Sequence, residues 1–317
     1  MQSETNWLPV GQAGVVRLEI PVHTLGSGQP VLGITCSVHG DEHAGLFITS
    51  RLIEYLNADE RLNGTIHIMS AANPAAQFVN SRVSSLDQKD LNRGGRGRSE
   101  GSFTDRVGAQ LFDFLSRCDI VVNIHEFEMH TPTTAVFMNA GSLETKIKTL
   151  EAMRAFSPEI IWVIDSSQNG DVQYQATLDT ALAQASVVNF PIETTQLAFL
   201  TESEIDRAAQ GLKQVAAHLG IIQASNESPS EVAPAYVREE VTSNDAGLWE
   251  PSVQLMREIN IGDVIGTLQK LPDFQKQIIK SPSRGILVQC RHRQLVSTGT
   301  SLFSIGHNAE EFITPYM

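Results

Sequence analysis

The stretch SVHGDEHAG, Ser37–Gly45, sets two imidazoles and two carboxylates within five residues. That density of metal-ligating side chains admits two mutually exclusive chemistries. Read as H-x-x-E-H, His39 and His43 lie one helical turn apart and bind zinc while Glu42 acts as the base. Read as H-x-x-E, His39 and Glu42 are both ligands, His43 stands aside, and a third ligand and a separate base must come from elsewhere. Of the nine histidines, His23, His67, His218, His292 and His307 have no acidic or histidine partner at useful spacing and read as structural. His39 and His125 differ, because each closes an apolar run, VLGITCSVH and DIVVNIH. Each should therefore sit at the carboxyl end of a strand, the edge at which open α/β sheets bind ligands.

The elements around these residues favour the second reading. Gly40-Asp41 follows directly on a strand, so a turn is expected there, with Asp41 capping a helix that begins near Glu42. His39 then precedes the helix and His43 falls in its first turn, so their side chains need not converge. Ligation by His39, Glu42 and His125 would give one zinc ion two imidazoles, a carboxylate and an open fourth position, the arrangement of a catalytic hydrolytic site. With Glu42 occupied, a separate base is required. Glu193, set among apolar neighbours in FPIETTQ, is available, although composition alone reads it as an ordinary strand-end residue. The loop NSRVSSLDQKDLNRGGRGR carries Arg82 and Arg93. Guanidinium groups recognise carboxylates bidentately, so these arginines are substrate anchors if the loop folds over the metal and solvated surface residues if it does not.

From Pro30 to about Ile222, β-branched runs alternate with helical patterns, the signature of a layered α/β sheet. The expected strands are PVLGITCSV, GTIHIMSA, DIVVNIH, TAVFMNA, IIWVID and FPIETT; helices are expected over 42–56, over 104–118 and from a capping box at Thr201-x-x-Glu204. QASNESPSEVAP then reads as a linker, dividing a catalytic domain at 1–225 from an all-β module at 232–317. The module's GD-V-G and SP-x-x-G-I-L-V phrases resemble the biotinyl/lipoyl-type sandwiched β-barrel. Lys270 and Lys276 do not reproduce the modified hairpin lysine of that type, so a packing or lid role is expected.

A formal charge of -13 and a pI near 5.1 argue against a nucleic-acid partner, whose affinity rests on clustered Lys and Arg. Three cysteines without a C-x-x-C suit reduced thiols in a reducing compartment. The opening MQSETNWLPVGQ has neither a basic start nor an apolar core, and no apolar run approaches the ~18 residues of a membrane span. Neither membrane nor export is supported, and the cytoplasm is the expected location.

H-G-x-E at His39 to Glu42, N-P at Asn73-Pro74, N-x-R at Asn80 to Arg82, D-L-N-R at Asp90 to Arg93, the strand-end His125 and the late Glu193, taken in that order, resemble the succinylglutamate desuccinylase/aspartoacylase family of the zinc carboxypeptidase-like clan. The resemblance spans about residues 25 to 222 and implies a mixed sheet flanked by helices. It also implies a trailing β module and one Zn2+ per chain, bound by His39, Glu42 and His125. It gives Glu193 the role of activating the attacking water, Arg82 that of polarising the scissile carbonyl, and Asn92 with Arg93 that of gripping a substrate carboxylate.

The activity implied is hydrolysis of the amide bond of a small N-acyl amino acid, and some relatives act on N-acetylated diaminobutyrate. A carboxypeptidase or amidase acting on short peptides or peptidoglycan fragments shares every one of these residues. A non-catalytic protein with a vestigial pocket is a third reading, and it predicts no zinc. A homo-oligomer is compatible with all three. The sequence departs from the clan at Asn123, where an Asp often stands. Glu126 should point away from His125 by strand alternation, whereas Glu128 and His130 could reach the pocket rim and select a substrate bearing an amine.

Overall fold

Buried apolar strands must pair their backbone polar groups, and here they pair into one broad sheet. The computed structural model describes residues 2–56, 61–165, 172–223 and 232–317. In chain order the first strands are β1 (Ser3–Ala13), β2 (Val16–Gly26), β3 (Val31–Thr35), β4 (Thr65–Met69), β5 (Ile120–Phe127), β6 (Met129–His130), β7 (Thr134–Met138), β8 (Ile160–Ile164) and β9 (Val188–Thr195). The later strands are β10 (Ala235–Thr242), β11 (Gly247–Pro251), β12 (Glu258–Ile259), β13 (Val264–Lys270), β14 (Lys276–Lys280), β15 (Gly285–Arg291), β16 (Gln294–Val296) and β17 (Ser301–Asn308). The helices are α1 (Ala44–Tyr55), α2 (Pro74–Phe78), α3 (Phe103–Leu115), α4 (Leu143–Phe156), α5 (Leu178–Gln184), α6 (Glu202–His218) and α7 (Glu310–Ile313).

Among the described residues the main sheet runs β1-β2-β4-β3-β5-β9-β7-β8-β10-β17-β15-β12, with β6 on β15, and a smaller sheet runs β14-β13-β11-β16. β4, β3, β5 and β9 are mutually parallel. They are buried on both faces, which is why they read as near-continuous apolar runs. The architecture is the expected mixed α/β sheet flanked by helices, followed by an antiparallel C-terminal β region. Residues before Pro30, given no element in the sequence reading, form the β1–β2 hairpin, which joins the sheet through β4. The expected domain boundary lies outside the described residues. Beyond it, β10 pairs parallel to β8 through Ala235–Ile161 and Tyr236–Trp162 and antiparallel to β17, so the C-terminal strands extend the main sheet. No helix of the described residues is long and apolar enough to cross a membrane.

Strand alternation sorts the side chains. Ile34, Val122, Ile124, Phe190 and Ile192 pack on one face beneath residues of α1, α4 and α6; Val121 packs on the other with Leu111, Leu115 and Leu182 of α3 and α5. Asn123 and His125 share the face of Val121, and Glu193 is the register partner of His125 across the parallel β5–β9 ladder.

Asp41 is not the cap of the first helix. α1 starts at Ala44 with His43 as its N-cap residue and no side-chain cap of its own. The Glu126 carboxylate accepts the His43 and Ala44 N–H groups, each at 3.2 Å, and the Leu197 N–H at 3.0 Å. A charge fixed at the end of a neighbouring strand satisfies the positive end of the helix, so the turn before it needs no cap and is left to present His39 and Glu42.

That turn is packed tightly. A Cβ on Gly40 would lie 2.1 Å from the Ala76 carbonyl carbon and 2.3 Å from the Gln77 nitrogen, and the contacts are backbone that cannot swing aside. Gly94, by contrast, offers a Cβ nothing nearer than 3.6 Å. Gly40→Ala should cost about 1–3 kcal/mol in urea unfolding, as overpacking does, while Gly94→Ala should stay within about 0.5 kcal/mol of wild type.

Candidate metal centre

The chain leaves β3 through Ser37, whose backbone is left-handed at φ 55. Asn73 and Gln77 hold this corner: Asn73 N–H donates to the Ser37 carbonyl at 3.1 Å and Gln77 Nε2 to Ser37 Oγ at 3.1 Å. Asn73 also caps α2 through its side chain, so the Asn-Pro pair has a structural use beside the site. Past the corner, His39 and Glu42 come together with His125 of the adjacent strand.

The Glu42 carboxylate lies between the two imidazoles, 2.6 Å from His39 Nδ1 and 2.7 Å from His125 Nδ1. All three side chains are buried, and their ligand atoms lie within 4.8 Å of one another. His39 Nε2 is 3.1 Å from Asp90 Oδ1. Asp90 in turn accepts from Arg82 Nε at 3.1 Å and pairs with Nη2 at 3.0 Å, and Arg82 Nη1 stands 3.6 Å from Glu42. Asp90 belongs to the D-L-N-R stretch, and its contact with His39 is one that no local spacing encodes.

Burial works to raise the Glu42 carboxyl, yet His125 and His39 hold it well below the usual carboxylate range. Asp90 is treated likewise by its hydrogen bond to His39 and by Arg82 and Arg93. Burial opposes a proton on His125, and the charge of Glu42 overrides that, raising its pKa. Glu193 goes the other way: burial pushes its carboxyl above the usual range, and its Oε2 is buried with no hydrogen-bond partner. The donor set fits a divalent cation. Two carboxylates are kept ionised, Nδ1 atoms of both imidazoles converge on Glu42, and Asp90 takes the outer nitrogen of His39, the arrangement that fixes the tautomer of a ligating histidine.

His43 stands outside this cluster, with its Nε2 2.9 Å from the Gly40 carbonyl. Glu126 turns away from His125 onto α1. Asn123 donates from Nδ2 to both oxygens of Asp179, at 3.2 and 3.4 Å. The buried carboxyl expected at position 123 by comparison with the clan is thus present nearby, on the first turn of α5, and its charge acts on His125.

A cavity of about 700 Å³ opens over the cluster, with Glu42 and Arg82 in its wall. Phe127, Trp162 and Tyr174 also line it, with Arg238, Gln289, Ser301 and Ser304 of β10, β15 and β17. Asn92 and Arg93 are not brought to this wall. Asn92 is buried with its Oδ1 accepting the Leu178 N–H at 3.1 Å; Arg93 lies over the Tyr174 ring at 5.5 Å, one side chain behind the cavity. Glu128 does reach the wall, where it pairs with Arg291 at 3.2 Å. His130 turns instead toward His292, their rings stacked at 5.7 Å. Tyr174 and Arg238 gave no signal in the sequence, because each belongs to a segment without a chemical motif.

The family model for the succinylglutamate desuccinylase/aspartoacylase catalytic domain matches residues 28–219. The chain is 25% identical over 271 residues to the N-alpha-acetyl-L-2,4-diaminobutyric acid deacetylase of Halomonas elongata, covering 80% of this chain and 74% of that one. A succinylglutamate desuccinylase/aspartoacylase structure from Rhodobacter sphaeroides superposes with a TM-score of 0.80 at 20% identity, over 97% of this chain and 96% of the other. The product-bound ectoine utilization protein EutE of Ruegeria pomeroyi gives 0.82 at 21% identity, over 96% and 94%. These two share the fold from the N-terminal hairpin through the C-terminal strands. With the match running from before β3 to the end of α6, and so across every residue of the metal cluster, the chain belongs to the succinylglutamate desuccinylase/aspartoacylase family.

Proposed function

We propose that the chain is a zinc-dependent deacylase that hydrolyses the amide bond of a small N-acyl amino acid, with His39, Glu42 and His125 holding one zinc ion. The observation that carries this reading is the meeting of two Nδ1 atoms and a carboxylate beside Glu193 on the next strand, whose Oε2 is buried without a partner. When bound, zinc supplies Lewis acidity and lowers the pKa of a coordinated water toward neutrality.

The rest falls to side chains of this chain. Glu193, its pKa raised by burial, takes the proton of the attacking water; a base is most useful when its pKa lies near the working pH. Arg82, tied to Asp90 but half exposed, donates to the oxygen of the scissile carbonyl as charge builds there, a contribution of roughly 3–4 kcal/mol for one good donor. Water adds to the carbonyl carbon, the C–N bond breaks, and Glu193 returns its proton to the leaving nitrogen, giving an acyl acid and an amine. Asn92, bonded to the Leu178 N–H, and Arg93, against Tyr174, stand off the cavity wall and bear on the substrate only through the loop and ring they hold. The Halomonas elongata relative is named for removing an acetyl group from a diamino acid, which supports a small N-acyl amino acid as the substrate class. The three cysteines are free and buried, in keeping with a reducing compartment, and we place the activity in the cytoplasm.

Zinc-loaded protein should hydrolyse members of a panel of N-acetyl, N-succinyl and N-formyl amino acids, and chelation should abolish the activity until zinc is restored. Glu193→Gln should retain zinc by elemental analysis while kcat falls about 10²–10⁴-fold; undiminished turnover would remove Glu193 as the base. Asp90→Asn should weaken zinc binding about 10- to 100-fold in competition with a chromogenic chelator, and an unchanged affinity would mean that the His39–Asp90 contact orients nothing.

A further inference from the structure

One wall of the cavity is built by the C-terminal strands, and its polar groups are unevenly used. Three guanidinium groups line the cavity: Arg82, Arg238 and Arg291. Arg82 pairs with Asp90 and Arg291 with Glu128. Among the described residues no carboxylate lies within ion-pair distance of Arg238. Its partners are a neutral carbonyl, Gln289 Oε1, which accepts from Nη1 at 2.5 Å, the Tyr174 side chain, and two aromatic faces, Trp162 at 3.2 Å and Phe127 at 4.8 Å from the ring centroids. Glu193 and Glu240 act on it only through their fields, and burial works against its charge.

The surroundings add donors rather than acceptors. Gln289 Oε1 accepts from both Arg238 and Ser304 Oγ, the latter at 3.0 Å, which fixes the amide and leaves its Nε2 turned away without a partner. Arg238 Nε, Gln289 Nε2 and Ser301 Oγ are all buried without a hydrogen-bond partner. On the acidic side Glu126 accepts three backbone N–H groups and Glu128 is held by Arg291, while Asp41 and Glu240 also line the cavity without pairing with Arg238. A rigid, aromatic-backed guanidinium amid unsatisfied donors has the chemistry of a carboxylate receptor.

We infer that Arg238, supported by Gln289, Trp162 and Phe127, is a specificity-determining residue that receives a carboxylate of the N-acyl amino acid substrate. This rests on the deacylase reading and makes the C-terminal strands part of the substrate site. The guanidinium stands on the cavity wall, whereas Arg93 stands behind Tyr174, so the greater share of carboxylate recognition falls to Arg238.

The test uses zinc-loaded wild type, Arg238→Met, Arg238→Lys and Arg93→Met on the panel substrate that wild type turns over best and on its carboxamide analogue. Wild type should favour the carboxylate. In Arg238→Met the KM for the carboxylate substrate should rise about 10- to 100-fold, the loss expected for a charge-assisted hydrogen-bond pair, and by clearly less for the carboxamide, with kcat compared across pH because Arg238 also acts on Glu193. Arg238→Lys, which keeps the charge and the stem but not the fork, should fall between, and it serves if the Met variant does not fold. Titration calorimetry with the product amino acid should show the same order of affinities. An unchanged carboxylate-to-carboxamide ratio in both Arg238 variants, an equal loss on both substrates, or a ratio that collapses only in Arg93→Met would overturn the inference and leave the deacylase reading standing. Wild type that hydrolyses no member of the panel would remove that reading and this inference together.

Discussion

A carboxylate buried between two imidazoles is the contact on which the rest of this structure depends. Taking the charge of Glu42 out of water costs several kcal/mol, and apolar packing cannot offset that. The offset comes from His39 at 2.6 Å and His125 at 2.7 Å, with the Arg82 guanidinium slightly farther out. Each of these must therefore be delivered to one point from a different part of the chain. His39 and Glu42 share a turn that the Ser37 corner aims inward, and Gly40 lets that turn press against the backbone of α2. His125 comes from the strand next to β3, where parallel register sets its height.

The same register brings Glu193 to the height of His125 on β9, one strand farther along. Their environments separate the two carboxyls: Glu42, between imidazoles, stays ionised, while Glu193, with one oxygen unpartnered, is pushed toward its neutral form. Two carboxyl groups with pKa values driven apart in one site are suited to different tasks, ligand for one and proton carrier for the other. The loop from Ser81 to Arg98 then closes one side through Asp90 and Arg82. The C-terminal strands close another, because β10 adds to the sheet beside β8 and carries Arg238 over Trp162.

The fold was legible because burial on both faces leaves a plain mark: β3, β4, β5, β8 and β9 all fall within apolar runs bounded by turn residues. His39 and His125 could be placed at strand ends from the same pattern, and the turn at Gly40-Asp41 told that His39 and His43 need not converge. What the sequence did not disclose are contacts between distant segments. Glu126 capping α1 replaces the local cap expected from Asp41, since a neighbouring strand can supply a charge that no local pattern announces. Asp90 on His39, Asp179 on Asn123 and Arg238 on Trp162 are separated from their partners by 51, 56 and 76 residues, and no periodicity encodes such pairs. The β1–β2 hairpin was missed for another reason: β1 is largely exposed, and although β2 alternates through Val16, Leu18, Ile20 and Val22, it carries no chemical motif and precedes the first apolar run.

The proposed chemistry requires one zinc ion between His39, Glu42 and His125, with His43 left on the Gly40 carbonyl. Crystals of the zinc-loaded protein, with anomalous differences measured on both sides of the zinc absorption edge, test it directly. A single peak per chain is expected, about 2.0–2.1 Å from a ring nitrogen of His39 and of His125 and in contact with the Glu42 carboxylate. A peak that takes His43 as a ligand in place of His125, or that lies away from this cluster altogether, would contradict it.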